Sequence, residues 1–238
     1  QLSEPVRPSG SSAIGLFLMP QRTVDTVIFD LGGVIMSNGK PSDFASRFPE
    51  ADRERVIEII MGPYGQDSDH PWHRVERGEI TMEECRSLNR DAIIESGIMP
   101  ILSTMQPQTK ESSSTGGISF NFSLSEPMVQ LIHELRDNDI RIGVLTNNVR
   151  EFREWWWPLM DFETVFDTVV DSSDVGLRKP NPAIYHLTMD RLGATPSRTA
   201  FLDDLQPNVD AASALGMHGI RVDDDPSAAI AQTRLLVQ

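Results

Sequence analysis

Three things are scarce in this 238-residue chain: cysteine, basic charge and long apolar runs. The single cysteine, Cys85, excludes an internal disulfide and any multi-cysteine metal site, which fits a reducing compartment. Lysine and arginine number 21 against 35 acidic residues, a formal charge of −14. That balance repels nucleic acid and acidic membranes at long range, so neither is expected as the main partner. Any phosphate bound here must be held by a local cluster of positive groups. No stretch reaches the roughly 18 apolar residues of a membrane helix, and a soluble, cytoplasmic protein is the expectation. A Walker P-loop and a strand-linked Gly-x-Gly-x-x-Gly are also absent, which leaves kinase and dehydrogenase readings without residues behind them.

What is present alternates between strand and helix patterns. Thr23–Phe29, Ile140–Leu145, Thr199–Leu202 and His218–Val222 are β-branched, apolar runs, and the first three stop abruptly at polar residues. Between them, helical patterns cover Pro127–Asp137 with Ser125 as cap, Pro182–Leu192 closed by Gly193, and Val209–Leu215 closed by Gly216. The alternation predicts an α/β fold, a doubly wound Rossmann-like parallel sheet, over 23–36 and 124–238. Residues 37–123 break the rhythm, with helical candidates at Ala51–Met61 and Met82–Ser96 and no comparable strand. They read as an inserted helical cap whose return linker, about 103–119, is rich in Ser, Thr, Gln and Gly. Residues 1–22 read as a loosely attached tail: the apolar run Ala13–Met19 follows Glu4, two prolines and one arginine, a poor match to a secretory signal. Met82, Cys85, Leu88 and Ile93 fall near helical spacing and are expected in the core of the cap.

Ligands of such sheets sit outside the carboxyl ends of the strands, so the polar strand ends converge on one site. Asp30, after the first strand, suits a nucleophile or a metal ligand, and equally a turn cap. Gly32 and Gly33 let the backbone approach an ion closely. Thr146, with the N–H groups of the Thr146-Asn147-Asn148 turn, suits phosphate oxygens. Lys179, ahead of a helix, can neutralise an anion. Asp203 and Asp204 are adjacent carboxylates at the end of an apolar strand; they repel each other, and a divalent cation with a preference for oxygen, such as Mg²⁺, would relieve that repulsion.

The order of these signals resembles the haloacid dehalogenase superfamily over nearly all of the chain after residue 22. The matching segments are Phe29-Asp-Leu-Gly-Gly-Val-Ile35, Leu145-Thr-Asn-Asn148, Gly176-Leu-Arg-Lys-Pro180 and Phe201-Leu-Asp-Asp204. Within it the chain most resembles the subfamily with a helical cap after the first motif, including the amino-terminal phosphatase domain of soluble epoxide hydrolases and bacterial sugar-phosphate phosphatases; Glu76-Arg-Gly-Glu-Ile-Thr81 in the cap adds to that likeness. The resemblance implies a Mg²⁺-dependent phosphomonoester hydrolase acting on a small phosphorylated metabolite. Asp30 would attack phosphorus to give an aspartyl-phosphate. Asp30, the Gly32 carbonyl and Asp204 would hold Mg²⁺, with Asp203 acting through water, while Thr146, Asn147, Lys179 and Gly33 would hold the phosphoryl group.

One position departs from the pattern. Gly32 stands where phosphatases of the superfamily commonly carry the aspartate that protonates the leaving oxygen, a role that contributes about 10²–10⁴-fold. Candidate substitutes in the cap are His70, His73, Glu76 and Glu79, with surface polar residues around a turn at Pro71-Trp72 as the competing reading for each. A zinc pair at His70 and His73 lacks further ligands. Trp155-Trp156-Trp157 is expected to pack behind the second motif, and Asp223-Asp224-Asp225 to form a solvated loop. Two other functions remain: a metal-free haloacid dehalogenase, which the adjoining carboxylates disfavour, and a catalytically weak ligand-binding protein, which Gly32 favours.

Overall fold

Val27, Ile28 and Phe29 are wholly buried because strand β1 (Thr26–Phe29) is the middle of a sheet covered on both faces. The computed structural model describes residues 22–37, 45–63, 65–101 and 122–238. Side chains alternate across a strand. Val27 and Phe29 therefore join a cluster with Met128, Leu131 and Ile132 of α4 (Glu126–Asp137) and with Ala229 and Ile230 of α10 (Ser227–Val237). Ile28 joins Ile184, Tyr185 and Met189 of α8 (Pro182–Leu192) and Ala212 of α9 (Gln206–Ala214) on the opposite face. Each such side chain contributes about 2 kcal/mol by leaving water.

The strands β2 (Arg141–Thr146), β3 (Thr168–Asp171), β4 (Thr199–Asp203) and β5 (His218–Arg221) complete a parallel sheet in the order β3-β2-β1-β4-β5. Phe29 pairs with Val144 on one side and Leu202 on the other, so the residues after them, Asp30, Leu145 and Asp203, lie level at the carboxyl edge. The α/β expectation holds, with differences at the margins. The first strand starts at Thr26 rather than Thr23, and the Asp25 side chain instead accepts hydrogen bonds from Arg141 at 2.8 Å and Arg198 at 2.6 Å. Strand β3 was not expected; it follows the short helices α5 (Arg153–Trp156) and α6 (Phe162–Val165) on the sheet edge. Ser125 takes the N-cap position of α4 without a side-chain capping bond.

Between β1 and α4 lie α1 (Arg53–Met61), α2 (Pro71–Glu76) and α3 (Met82–Ser96). Thr81 and Glu84 form a capping box at the start of α3, with Glu84 N donating to Thr81 Oγ1 at 3.2 Å and Thr81 N to Glu84 Oε2 at 2.8 Å. The helices enclose a small cluster of Ala45, Phe48, Val56 and Ile98, with Ile93 against it. Met82 and Cys85 are buried, but in the large cluster that also holds Val27 and Phe29 rather than in this one, and Leu88 is 43% exposed. The inward stripe of α3 continues instead through Asn89, whose amide donates to Ile60 O at 3.0 Å. Where the chain leaves and rejoins the sheet, Met36 bridges Leu124 and Ser37 N donates to Ser123 O at 2.9 Å. The expected tail, apart from Arg22, and the return linker lie outside the described residues. Among the described residues no helix is long and apolar enough to cross a membrane.

Candidate active site

The level strand ends bring four of the expected side chains together. Asp30 sits just beyond β1, its N–H donating to Leu202 O at 2.8 Å. Its Oδ1 accepts Leu31 N–H at 2.7 Å and lies 2.8 Å from Lys179 Nζ. Lys179 is wholly buried and also donates to Asp203 Oδ2 at 2.6 Å. Asp203 is saturated: Oδ1 takes Leu205 N–H at 2.8 Å and Asn208 Nδ2 at 3.0 Å. Asp204 is less buried and lines the cavity with Asp30 and Thr146.

Gly33 explains how Asp204 comes so near. It has φ +75°, and a Cβ there would lie 2.4 Å from Asp204 Oδ2. Thr146, the last residue of β2, is buried and faces the cavity. Asn147, expected on phosphate, lines the cavity and clips the lysine segment to the second strand end: Lys179 N donates to Asn147 Oδ1 at 2.8 Å, and Asn147 Nδ2 donates to Lys179 O at 3.0 Å. Asn148 N in turn donates to Ser172 Oγ at 2.9 Å, tying the loop to the end of β3.

Three carboxylates face one ammonium here. Burial, reinforced by Asp203 and Asp204, pushes Asp30 up to about 8 against the pull of Lys179. Burial and then Asp203 push Asp204 up to about 6. Burial opposes the Lys179 charge, but Asp203 and Asp30 outweigh it and raise that group. Carboxylate oxygens of Asp30, Asp203 and Asp204 all lie within 4.8 Å of one another, the one such ligand cluster among the described residues. An all-oxygen set with surplus negative charge fits a hard divalent cation.

The cavity above these groups holds about 900 Å³. Its far wall comes from the helical segment and the loops: Met61, Trp72, Glu76, Phe122, Phe152 and Arg178. Of the four cap candidates for an acid, Glu76 alone reaches it. His73 and Glu76 are not the surface residues of the competing reading, because Pro71–Glu76 is a helix rather than a turn and both side chains are buried. His73 Nδ1 accepts Ser68 N–H at 3.2 Å, and burial, then the nearby Arg178, pushes the ring down to about 4. His70 caps α2 through Nδ1, which accepts Trp72 N–H at 3.1 Å, and its Nε2 donates to Ile59 O at 3.1 Å. Glu79 pairs with Arg77 at the surface.

Glu76 accepts from Trp72 Nε1 at 3.0 Å and from Arg178 Nε at 2.7 Å. Burial raises it despite Arg178. Arg178 and the aromatic wall were not singled out in the sequence; the one signal for Arg178 was its place before Lys179. Trp156 is wholly buried, edge-on to Trp157 and Phe162, in agreement with a packing role. Asp223, Asp224 and Asp225 are exposed as expected, and they line the cavity.

The family described as haloacid dehalogenase-like hydrolase matches residues 116–216. The chain is 30% identical over 225 residues to mouse acyl-CoA dehydrogenase family member 10, covering 91% of this chain and 19% of that protein. It is 33% identical over 219 residues to pig bifunctional epoxide hydrolase 2, covering 84% of this chain and 37% of that protein. The chain thus spans well under half the length of these relatives. A phosphorylated carbohydrates phosphatase from Thermotoga maritima is 26% identical, with 83% of this chain and 84% of that one covered. Among solved structures, a predicted hydrolase of the same family from Porphyromonas gingivalis superposes with TM-score 0.63 at 24% identity, over 91% of this chain and 99% of the other. A Bacteroides thetaiotaomicron family enzyme in complex with magnesium and inorganic phosphate gives TM-score 0.59 at 20% identity, over 85% and 96%.

Proposed function

We propose that this chain is a haloacid dehalogenase-like hydrolase, a reading that the family match over residues 116–216 supports, and that within that family it is a Mg²⁺-dependent phosphomonoester hydrolase acting on a small phosphorylated metabolite. The observation that carries the reading is the convergence of Asp30, Lys179 and Asp204 on the floor of one cavity, with Asp203 buried against Lys179. We also propose that 37–123 acts as a cap over a core of 23–36 and 124–238.

Asp30, the Gly32 carbonyl and Asp204 would hold Mg²⁺, which supplies positive charge to the phosphoryl oxygens as it does in phosphoryl transfer generally. Asp203 is occupied by Lys179 and Asn208, which suits it to orient the lysine and act on the cation through water. Asp30 attacks phosphorus; the P–O bond to the leaving group breaks and an aspartyl-phosphate forms. Water then attacks that phosphorus, releasing inorganic phosphate and restoring Asp30. Lys179 and Thr146 stabilise the charge that builds on the equatorial oxygens. Gly32 supplies no proton, so esters with poor leaving groups should turn over slowly.

The test is phosphate release from an aryl and an alkyl phosphate, with Mg²⁺ and with chelator, using Asp30→Asn as the blank. Mg²⁺-dependent release lost in the variant is expected. Undiminished release by Asp30→Asn would remove the mechanism, and halide release from haloacids without Mg²⁺ would favour the dehalogenase. Gly32 favours one further reading, a weakly catalytic ligand-binding protein, which tight binding of phosphate esters without turnover would support.

A further inference from the structure

Arg178 and Lys179 are consecutive and both buried, yet their side chains run to opposite sides. Lys179 reaches Asp30 and Asp203 on the sheet floor, at 2.8 and 2.6 Å. Arg178 reaches the helical segment: Nε donates to Glu76 Oε2 at 2.7 Å and Nη1 to Gln66 O at 2.9 Å. Three residues on, Asn181 Nδ2 donates to Asp67 Oδ2 at 3.3 Å. Glu76 is itself aimed by Trp72, whose Nε1 donates to Oε1 at 3.0 Å one turn earlier in α2. The helix is seated tightly on the core just beyond its end. Gly78 has φ +67°, and a Cβ there would lie 2.4 Å from Ser173 O, the oxygen that also accepts Arg150 Nη2 at 2.7 Å.

We propose that Glu76 is a positioning residue for Lys179: through the buried Glu76–Arg178 pair, the seating of the helical segment and the alignment of the catalytic lysine become one event. The proposal rests on the hydrolase reading above. Its physical basis is that Lys179 can meet two carboxylates only if the backbone of the 178–181 segment is held. Asn147 holds it from the core, and Glu76 holds it from the opposite side. Removing one member of a buried ion pair leaves the other charge uncompensated.

The experiment compares Glu76→Gln, Arg178→Gln and the double variant of the full chain, on an aryl and an alkyl phosphate in Mg²⁺. Each single variant is expected to lose kcat by about 10–100-fold on both esters, with KM changed far less, because a small misplacement of a catalytic group costs about that much. The double variant should lose about as much as either single rather than the product of the two, because the pair acts as one link. Loss on the alkyl ester alone would make Glu76 a proton donor and overturn the proposal, as would wild-type kcat in the singles or multiplying losses in the double. Should the single variants fail to fold, Trp72→Phe removes one hydrogen bond from Glu76 and keeps the ring. It should lower kcat severalfold on both esters, and unchanged kcat would overturn the proposal. If the wild type hydrolyses neither ester, the hydrolase reading fails separately. The positioning claim is then read from Mg²⁺-supported affinity for orthovanadate, which Glu76→Gln should weaken; equal affinity in the two, or no binding by either, overturns it.

Discussion

The floor and the far wall of the cavity solve opposite electrostatic problems. On the floor, three buried carboxylates share one ammonium, and burial drives Asp30 up to about 8 and Asp204 up to about 6. In the wall, the one carboxylate, Glu76, is matched by one guanidinium, Arg178. The floor is therefore incomplete without a cation or a proton, whereas the wall is complete by itself. Anion surplus marks where ligand chemistry happens, and charge balance marks where shape is being held.

The sharpest way to break this comparison is to remove the single floor cation. Lys179→Met should lower kcat by about 10²–10³-fold, the scale of losing one preorganised donor. It should also cost about 3–5 kcal/mol of stability by stranding Asp30 and Asp203. Urea unfolding with and without Mg²⁺ checks this, and the cation should restore more stability to the variant than to the wild type. Gly33→Ala comes next. The left-handed backbone and the approach of Asp204 together predict a loss of about 2 kcal/mol and weaker Mg²⁺ binding, measured by titration calorimetry.

The two regions should also respond oppositely to pH in the absence of divalent cations. Asp30 is raised from 3.8 to about 8, so the folded state binds the extra proton; this stability is fully present below 3.8 and is lost as pH rises through about 8. His73 is lowered from 6.5 to about 4, so the unfolded chain binds the extra proton; its contribution is present above 6.5 and is lost as pH falls through about 4. Denaturation midpoints against pH should show Asp30→Asn flattening the first slope and His73→Gln the second. The smallest effect sharpens the boundary of the cap core. Leu88→Ala, on an exposed face, should stay within about 0.5 kcal/mol of wild type, while Met82→Ala should cost about 2 kcal/mol or more.

The floor was legible in the sequence because strand ends place side chains at one edge whatever the loops do. An apolar run that ends in Asp30, Thr146 or Asp203 names both the strand and the residue it delivers. Strand β3 was not legible, since Thr168–Asp171 is a short edge strand after a stretch of aromatic-rich turns. The wall was the least legible part. Pro71–Glu76 is six residues, half of them polar, and the buried carboxylate of Glu76 finds its partner in Arg178, 102 positions away. No local pattern encodes that contact. The exposure of Leu88 was hidden for the same reason: its surroundings in the fold, not its spacing, decided where the side chain went.

The central claim is that Asp30 itself carries the phosphoryl group during turnover. The most direct measurement is acid-quenched mass spectrometry of the peptide containing Asp30, taken while the wild-type chain turns over an aryl phosphate in Mg²⁺. The account predicts a phosphoryl adduct on Asp30 that disappears on chelation and in Asp30→Asn. Steady turnover with no adduct, or with the adduct on another residue, would contradict it.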